Sequence, residues 1–167
     1  RRNVRYSEKM IGDLRAQVAT GWAGCRELER LCAEFDFPDL HEVSDEITGR
    51  TEEGIRAGLR ELPDGEWREE MMMDIDGIDE PQPLVVTVKI EGDQLYADFT
   101  GTAPQVRRPV NCPINFSRAY VAVPVKMICD PSLPNNQGTY RPITLTAPEG
   151  SLLNPSYPAA CFWRLSA

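Results

Sequence analysis

The feature that most restricts the fold is a pair of runs in mid-chain, Leu84-Val85-Val86-Thr87-Val88-Lys89-Ile90 and Leu95-Tyr96-Ala97-Asp98-Phe99-Thr100, joined by Glu91-Gly92-Asp93-Gln94. Branched and aromatic side chains suit a pleated backbone better than a helix, and a short Gly/Asp loop folds one run back on the other. The spacing predicts a β-hairpin with a four-residue loop. Two strands alone are barely stable in water, so other elements must cover this pair.

Upstream the period is helical. Ile11, Leu14, Val18, Cys25, Leu28 and Cys32 recur at separations of 3, 4, 7, 3 and 4, with Arg15, Arg26, Glu27, Arg30 and Glu34 on other faces. This predicts an amphipathic helix from about Asp13 to Phe35, with Gly12-Asp13 at its head as a cap. Val43, Ile47, Ile55 and Leu59 give a weaker second stripe, interrupted by Gly49, Gly54 and Gly58, read as one helix or two short ones ending near Pro63-Asp64-Gly65. Trp67, Met71 and Met73 then alternate loosely, and one or two of Met71, Met72 and Met73 are expected in the core. Asp74-Ile75-Asp76-Gly77 reads as a turn rather than a calcium loop, since Glu80 is misplaced for the bidentate ligand. Asn115 or Ser117 caps a helix expected to run to about Ile128 and to kink at Pro124, and a last strand lies around Pro142–Ala147.

Charge divides the chain at the same place. Residues 1–80 carry 11 basic and 21 acidic side chains, residues 81–167 only 7 and 5, and ten of the 14 prolines follow Gly101. The fold class is therefore α+β: long N-terminal amphipathic helices over residues 1–63, then a β-rich segment over 64–167 with a hairpin-containing mixed sheet, Pro-rich loops and one helix near 115–128. Both segments are read as parts of one larger domain. The net charge of −8 argues against nucleic acid as partner. No apolar run approaches the ~20 residues that span a bilayer. The chain starts at Arg1-Arg2 without Met and stops on Ala160-Cys161-Phe162-Trp163, which predicts a piece of something larger. Five cysteines without a C-x-x-C pair read as reduced packing thiols of a cytoplasmic protein.

Several polar residues are candidates for chemistry. Asp98 lies in an otherwise apolar strand just before Phe99-Thr100-Gly101-Thr102, either to hold a ligand or to accept from loop amides. Asn111, Asn115, Asn135 and Asn136, with Gly138, concentrate amides in loops, where they fix turns or bind a polar substrate. Gln17 lies beside the apolar face of the first helix with no packing reason to be polar. His41, the single histidine, reads as a surface residue, and no cysteine has a base nearby in sequence. Neither common Gly-rich phosphate loop is present, so any ATP chemistry must be bound elsewhere.

Four ordered stretches carry a resemblance. They are Gly12-Asp13-Leu14-Arg15-Ala16-Gln17-Val18-Ala19-Thr20-Gly21; Leu62-Pro63-Asp64-Gly65 with Asp74-Ile75-Asp76-Gly77; Asp98-Phe99-Thr100-Gly101-Thr102; and Asn136-Gln137-Gly138-Thr139-Tyr140-Arg141-Pro142-Ile143 with Pro148-Glu149-Gly150-Ser151-Leu152-Leu153-Asn154-Pro155. Over about residues 3–160 the chain resembles an internal segment of the hydantoinase B/oxoprolinase family, which includes the B-type chains of N-methylhydantoinases, the C-terminal part of 5-oxoprolinase and the large subunits of acetone and acetophenone carboxylases.

The resemblance implies a subunit of an ATP-dependent hetero-oligomeric enzyme, inactive as this fragment alone. An actin-like ATPase of the hydantoinase A type would hold ATP and Mg and phosphorylate a small-molecule substrate. The B-type subunit would process that species by opening a cyclic amide. The alternatives are ketone carboxylation and a structural subunit without chemistry. By motif matching, Asp13, Gln17 and Asp98 are the catalytic candidates, Asn111, Asn136 and Arg141 the substrate-binding ones, and the family's divalent metal cluster falls outside this segment. The bulky end, Ala159-Ala160-Cys161-Phe162-Trp163-Arg164, departs from the small-residue continuation expected of the family and points toward the carboxylase branch.

Overall fold

The computed structural model describes residues 6–161, so Phe162, Trp163 and Arg164 of the bulky end lie outside the described residues. The fold is mixed α+β, with three α-helices and one four-stranded sheet among those residues. The order is α1 (Ser7–Phe35), α2 (His41–Arg60), β1 (Gly65–Met73), β2 (Gln82–Glu91), β3 (Gln94–Asp98), α3 (Ile114–Cys129), a 3-10 turn (Gln137–Thr139) and β4 (Ile143–Thr146). Contacts divide the chain into two compact units, separating between Asp45 and Glu46.

In the first unit, α1 starts at Ser7, earlier than the periodicity indicated. Gly12 and Asp13 are therefore interior helical residues and cap nothing; Tyr6 is the N-cap, without a side-chain bond. The helix ends where Asp36 turns left-handed (φ 55°) and its N–H bonds the Cys32 carbonyl. No residue of α1 is buried. Cys25 is exposed and Cys32 half-buried, so neither is the core thiol its spacing suggested.

In the second unit, α2 continues unbroken through its glycines, and its inward stripe is Thr51, Ile55 and Leu59, while Ile47 faces out at 48% exposure. Thr51 is tolerated inside because its hydroxyl donates to the Ile47 carbonyl. Gly58 is present for contact: a Cβ there would sit 2.6 Å from Cys129 Cα, so only glycine lets α2 lie against the end of α3. Burial in that contact pushes the Cys129 thiol pKa up.

The sheet runs β1-β2-β3-β4. The first two pairings are antiparallel and β3–β4 is parallel, which requires the crossover that α3 supplies. Glu91 pairs with Gln94, so the hairpin turns on Gly92 and Asp93 alone, two residues rather than four. The main core joins Ile55 and Leu59 of α2 to Ile90, Leu95 and Ala97 of the sheet and Val125 of α3. Ile55 and Leu59 are both fully buried, and trimming either to Ala removes about 2–5 kcal/mol.

A second cluster holds Ile75, Ala103 and Leu152, with Met73 packed on it; Met71 and Met72 are exposed, so one methionine of the triplet enters a core. Asp74-Ile75-Asp76-Gly77 is a turn, closed by the Ile78 N–H on the Ile75 carbonyl at 2.9 Å. Neither Asn115 nor Ser117 caps α3. Pro113 occupies the N-cap, and Ser117 is buried, its hydroxyl donating to the Leu153 carbonyl at 3.0 Å. Pro124 lies inside α3, which continues past it to Cys129. No described helix is long and apolar enough to cross a membrane.

Candidate functional site

The residues singled out from the sequence fall into separate places. Asn136 opens the 3-10 turn, its Oδ1 accepting from the Gly138 N–H while its Nδ2 donates to Thr51 Oγ1, both at 2.8 Å. Arg141 donates to Glu52 Oε2 at 3.0 Å, and Arg56 grips Oε1 of the same carboxylate through Nε and Nη2. Arg56 also reaches Asp93 in the β2–β3 turn at 3.1 Å. The fold therefore brings Asn136 and Arg141 together, both clamping the 136–141 loop onto α2.

The two guanidinium partners, Arg56 first and Arg141 second, hold the Glu52 carboxyl below the usual carboxylate range. A carboxyl whose pKa is lower folded than unfolded stabilises the fold above its ordinary value and loses that contribution as pH falls through its folded value. The thermal midpoint is expected to drop on acidification below about pH 4.3, and Glu52→Gln should drop less over that window. Equal acid sensitivity in the two proteins would contradict this role for Glu52.

Asn111 is fully buried. Its Oδ1 accepts from the Val106 N–H, and its Nδ2 faces the carbonyls of Val106, Arg108 and Ala160 at 2.7–3.1 Å. Asp98 Oδ1 accepts from the N–H and hydroxyl of Thr100 at 3.1 and 2.8 Å, fixing the turn after β3. Asn135 accepts from Lys126, and His41 stands exposed at the start of α2. Asp13 and Gln17 are exposed on α1, in the other unit.

Of the hollows that flank α3, two bear on a site. The larger, about 580 Å³, is lined almost entirely by apolar groups such as Leu62, Val88, Phe99, Phe116, Val121 and Ile128. It offers no charge with which to hold or activate a polar substrate. The smaller, about 450 Å³, is bounded by Asn115 and Arg118 from the first turns of α3, Gln137 and Tyr140 from the 3-10 turn, and Ile143, Thr144 and Leu145 of β4. Among the described residues Arg118 has no ion-pair partner, and β4 is an edge strand whose outer main-chain groups pair with no other strand. An unpaired guanidinium, two amides, a phenol and open main-chain donors together can hold a phosphate or carboxylate. This hollow is the candidate site.

Arg118, Gln137 and Tyr140 were not singled out from the sequence. The available signal was that Arg118 is the only charged side chain between Arg108 and Lys126. Among the described residues no three His, Cys, Asp or Glu side chains approach as metal ligands, so this set does not fit a metal.

The family model described as hydantoinase B/oxoprolinase matches residues 1–166. The chain belongs to this family. Among its relatives, a protein assigned as the B-type subunit of a D-/L-hydantoinase, from Pseudomonas sp. (strain NS671), is 30% identical over 99% of this chain and 30% of its own length. The 5-oxoprolinase PfmaA of Pestalotiopsis fici is 32% identical over 87% of this chain and 11% of its own. The crystal structure of an ATP-dependent caprolactamase from Pseudomonas jessenii superposes with a TM-score of 0.78 at 26% identity, covering 96% of this chain and 27% of that one. A nucleotide-free acetone carboxylase shares the fold, with a TM-score of 0.65 at 16% identity over 80% of this chain and 20% of that one. The chain thus spans about 30% or less of the length of these relatives. Of these, the caprolactamase and the acetone carboxylase are ATP-dependent enzymes.

Proposed function

We propose that this chain is a segment of the B-type subunit of an ATP-dependent cyclic amide hydrolase, acting in the cytoplasm with a hydantoinase A-type ATPase that binds ATP and Mg. The observation that carries the reading is the likeness to the caprolactamase over nearly the whole chain at 26% identity, against 16% for the acetone carboxylase. An unactivated lactam resists water because nitrogen donates into its carbonyl. Phosphoryl transfer from ATP to the carbonyl oxygen, with release of ADP, makes the ring carbon electrophilic. One water adds there and the C–N bond breaks as the nitrogen takes a proton; a second water then hydrolyses the resulting acyl phosphate to the ring-opened acid and phosphate. The activated species must be kept from bulk water until it is used, which a pocket closed between subunits achieves.

In this reading Arg118 takes the anionic end of the activated substrate in the 450 Å³ hollow. Asp13, Gln17 and Asp98 are kept as the candidates for the bond-making steps, and Asn111, Asn136 and Arg141 as the polar groups that shape substrate access. The intact complex, given ATP with a lactam or hydantoin, is expected to release phosphate and the ring-opened acid together. Given ATP, bicarbonate and a ketone it should form no carboxylate. The opposite pair of results would overturn the proposal in favour of a carboxylase.

A scaffold role for this segment is the second reading. It is favoured by Asn111, Asn136 and Arg141, each of which is engaged within the chain. Asp98→Asn separates the two, because the amide oxygen still accepts from Thr100 and so keeps the turn. The hydrolase proposal expects turnover to fall by about 100-fold or more, whereas unchanged turnover would leave Asp98 as a turn residue only.

A further inference from the structure

The apolar positions of α1 repeat every 3.5 residues rather than every 3.6. Ile11, Leu14, Val18, Gly21, Cys25, Leu28, Cys32 and Phe35 alternate steps of three and four over the helix, with no charged or amide side chain among them. A strict seven-residue repeat of this kind keeps one seam facing a partner helix along its length. The helix is 29 residues, about 43 Å, and none of it is buried. Leu14 is 54%, Val18 62% and Trp22 70% exposed. A soluble helix does not keep such a stripe in water without an occupant.

We infer that α1 pairs antiparallel with α1 of a second copy of this chain. The repeat itself selects this occupant. Placed antiparallel about a two-fold axis, the seam forms the layers Ile11–Phe35, Leu14–Cys32, Val18–Leu28 and Gly21–Cys25, each occurring twice. Every large seam residue meets one of moderate size, and the smallest, Gly21, meets the sulfur of Cys25. The flanking positions Arg15 and Glu29 then face each other across the two chains, twice, and Trp22 faces its own copy beside the axis.

The other flank of the antiparallel pair sets Gln17 against Leu31 and Gly24 against its own copy. A parallel pair is poorer in its seam and in its charges. It stacks Gly21 on Gly21, leaving a gap in mid-seam, and sets Met10 against Arg15, Gln17 against Trp22 and Gly24 against Glu29, with no opposite charges meeting. The two charge pairs fix orientation more than affinity, which the apolar seam supplies.

Sedimentation of the chain over a concentration series is expected to show a dimer, and Val18→Asp a monomer with the same helical content. Arg15→Glu and Glu29→Arg should each weaken the dimer by about tenfold, and the double exchange should restore it. In Gly21→Cys, oxidation should join the introduced thiol to Cys25 of the second copy. A wild-type chain that stays monomeric at high concentration, as it would if its seam were covered by another partner, overturns the proposal. So does a double exchange no tighter than either single variant, or a cross-link exclusively between two Cys25 side chains.

Discussion

Gly138→Ala is expected to lower the thermal midpoint by about 10 °C. A Cβ at position 138 would run into the Thr48 carbonyl oxygen and stand 2.8 Å from the Glu52 nitrogen and 3.0 Å from Asn136 Oδ1. The first two are main-chain atoms of a helix and cannot rotate aside, so the loop must lift from α2. Lifting it breaks the Asn136–Thr51 bond and the Arg141–Glu52 pair at once. Overpacking of this kind costs about 3 kcal/mol.

Gly49→Ala is the control. Nothing lies within 4 Å of a Cβ there, and the position is interior to α2. Relief of the helix penalty should stabilise the protein by about 0.5–1 kcal/mol. If both substitutions shifted the midpoint in the same direction, the close approach at Gly138 would not be what holds the loop.

Arg118→Ala is expected to reduce turnover of the intact complex by about 100-fold or more while leaving the thermal midpoint within a degree or two of wild type. The two readouts separate because Arg118 is exposed and joins no ion pair among the described residues, so the fold does not depend on it. Arg118→Lys should recover part of the loss, since an ammonium keeps the charge but not the two-pronged geometry. An unaltered rate in Arg118→Ala would remove the hollow beside β4 from the chemistry.

Elements that depend on near neighbours were legible in the sequence. The two β-branched runs named the hairpin, the helical spacing named α1, and the Gly/Asp turn before β2 was recognised by composition. The misses were cases in which a distant partner decides. Thr51 does not look like a core residue until its hydroxyl is seen on Ile47, and Gly54 and Gly58 read as interruptions until Leu133 and Cys129 are found against them. The hairpin loop was read two residues too long because pairing reaches Glu91 and Gln94, polar residues held by backbone register rather than by propensity.

The candidate site was partly legible. Loop amides and Asp98 were chosen for chemical type, yet what distinguishes Asn111 from Asn115 is how many main-chain groups the fold brings to each. Arg118 was overlooked because its meaning lies in having no ion-pair partner among the described residues, which only a folded arrangement can display.

The clamp between α2 and the 136–141 loop also orders events during synthesis. Asn136 meets Thr51 across 85 positions of chain, and Arg141 meets Glu52 across 89. α2 can form early from local contacts, but the groups that anchor its polar side emerge only after the whole sheet hairpin and α3 have been made. Closing a loop of that span is slow because its entropy is lost before any contact repays it. Until that loop has been made, Thr51 and Glu52 have only their α2 neighbours Ile47 and Arg56 as partners, so the clamp is a late contact of the second unit.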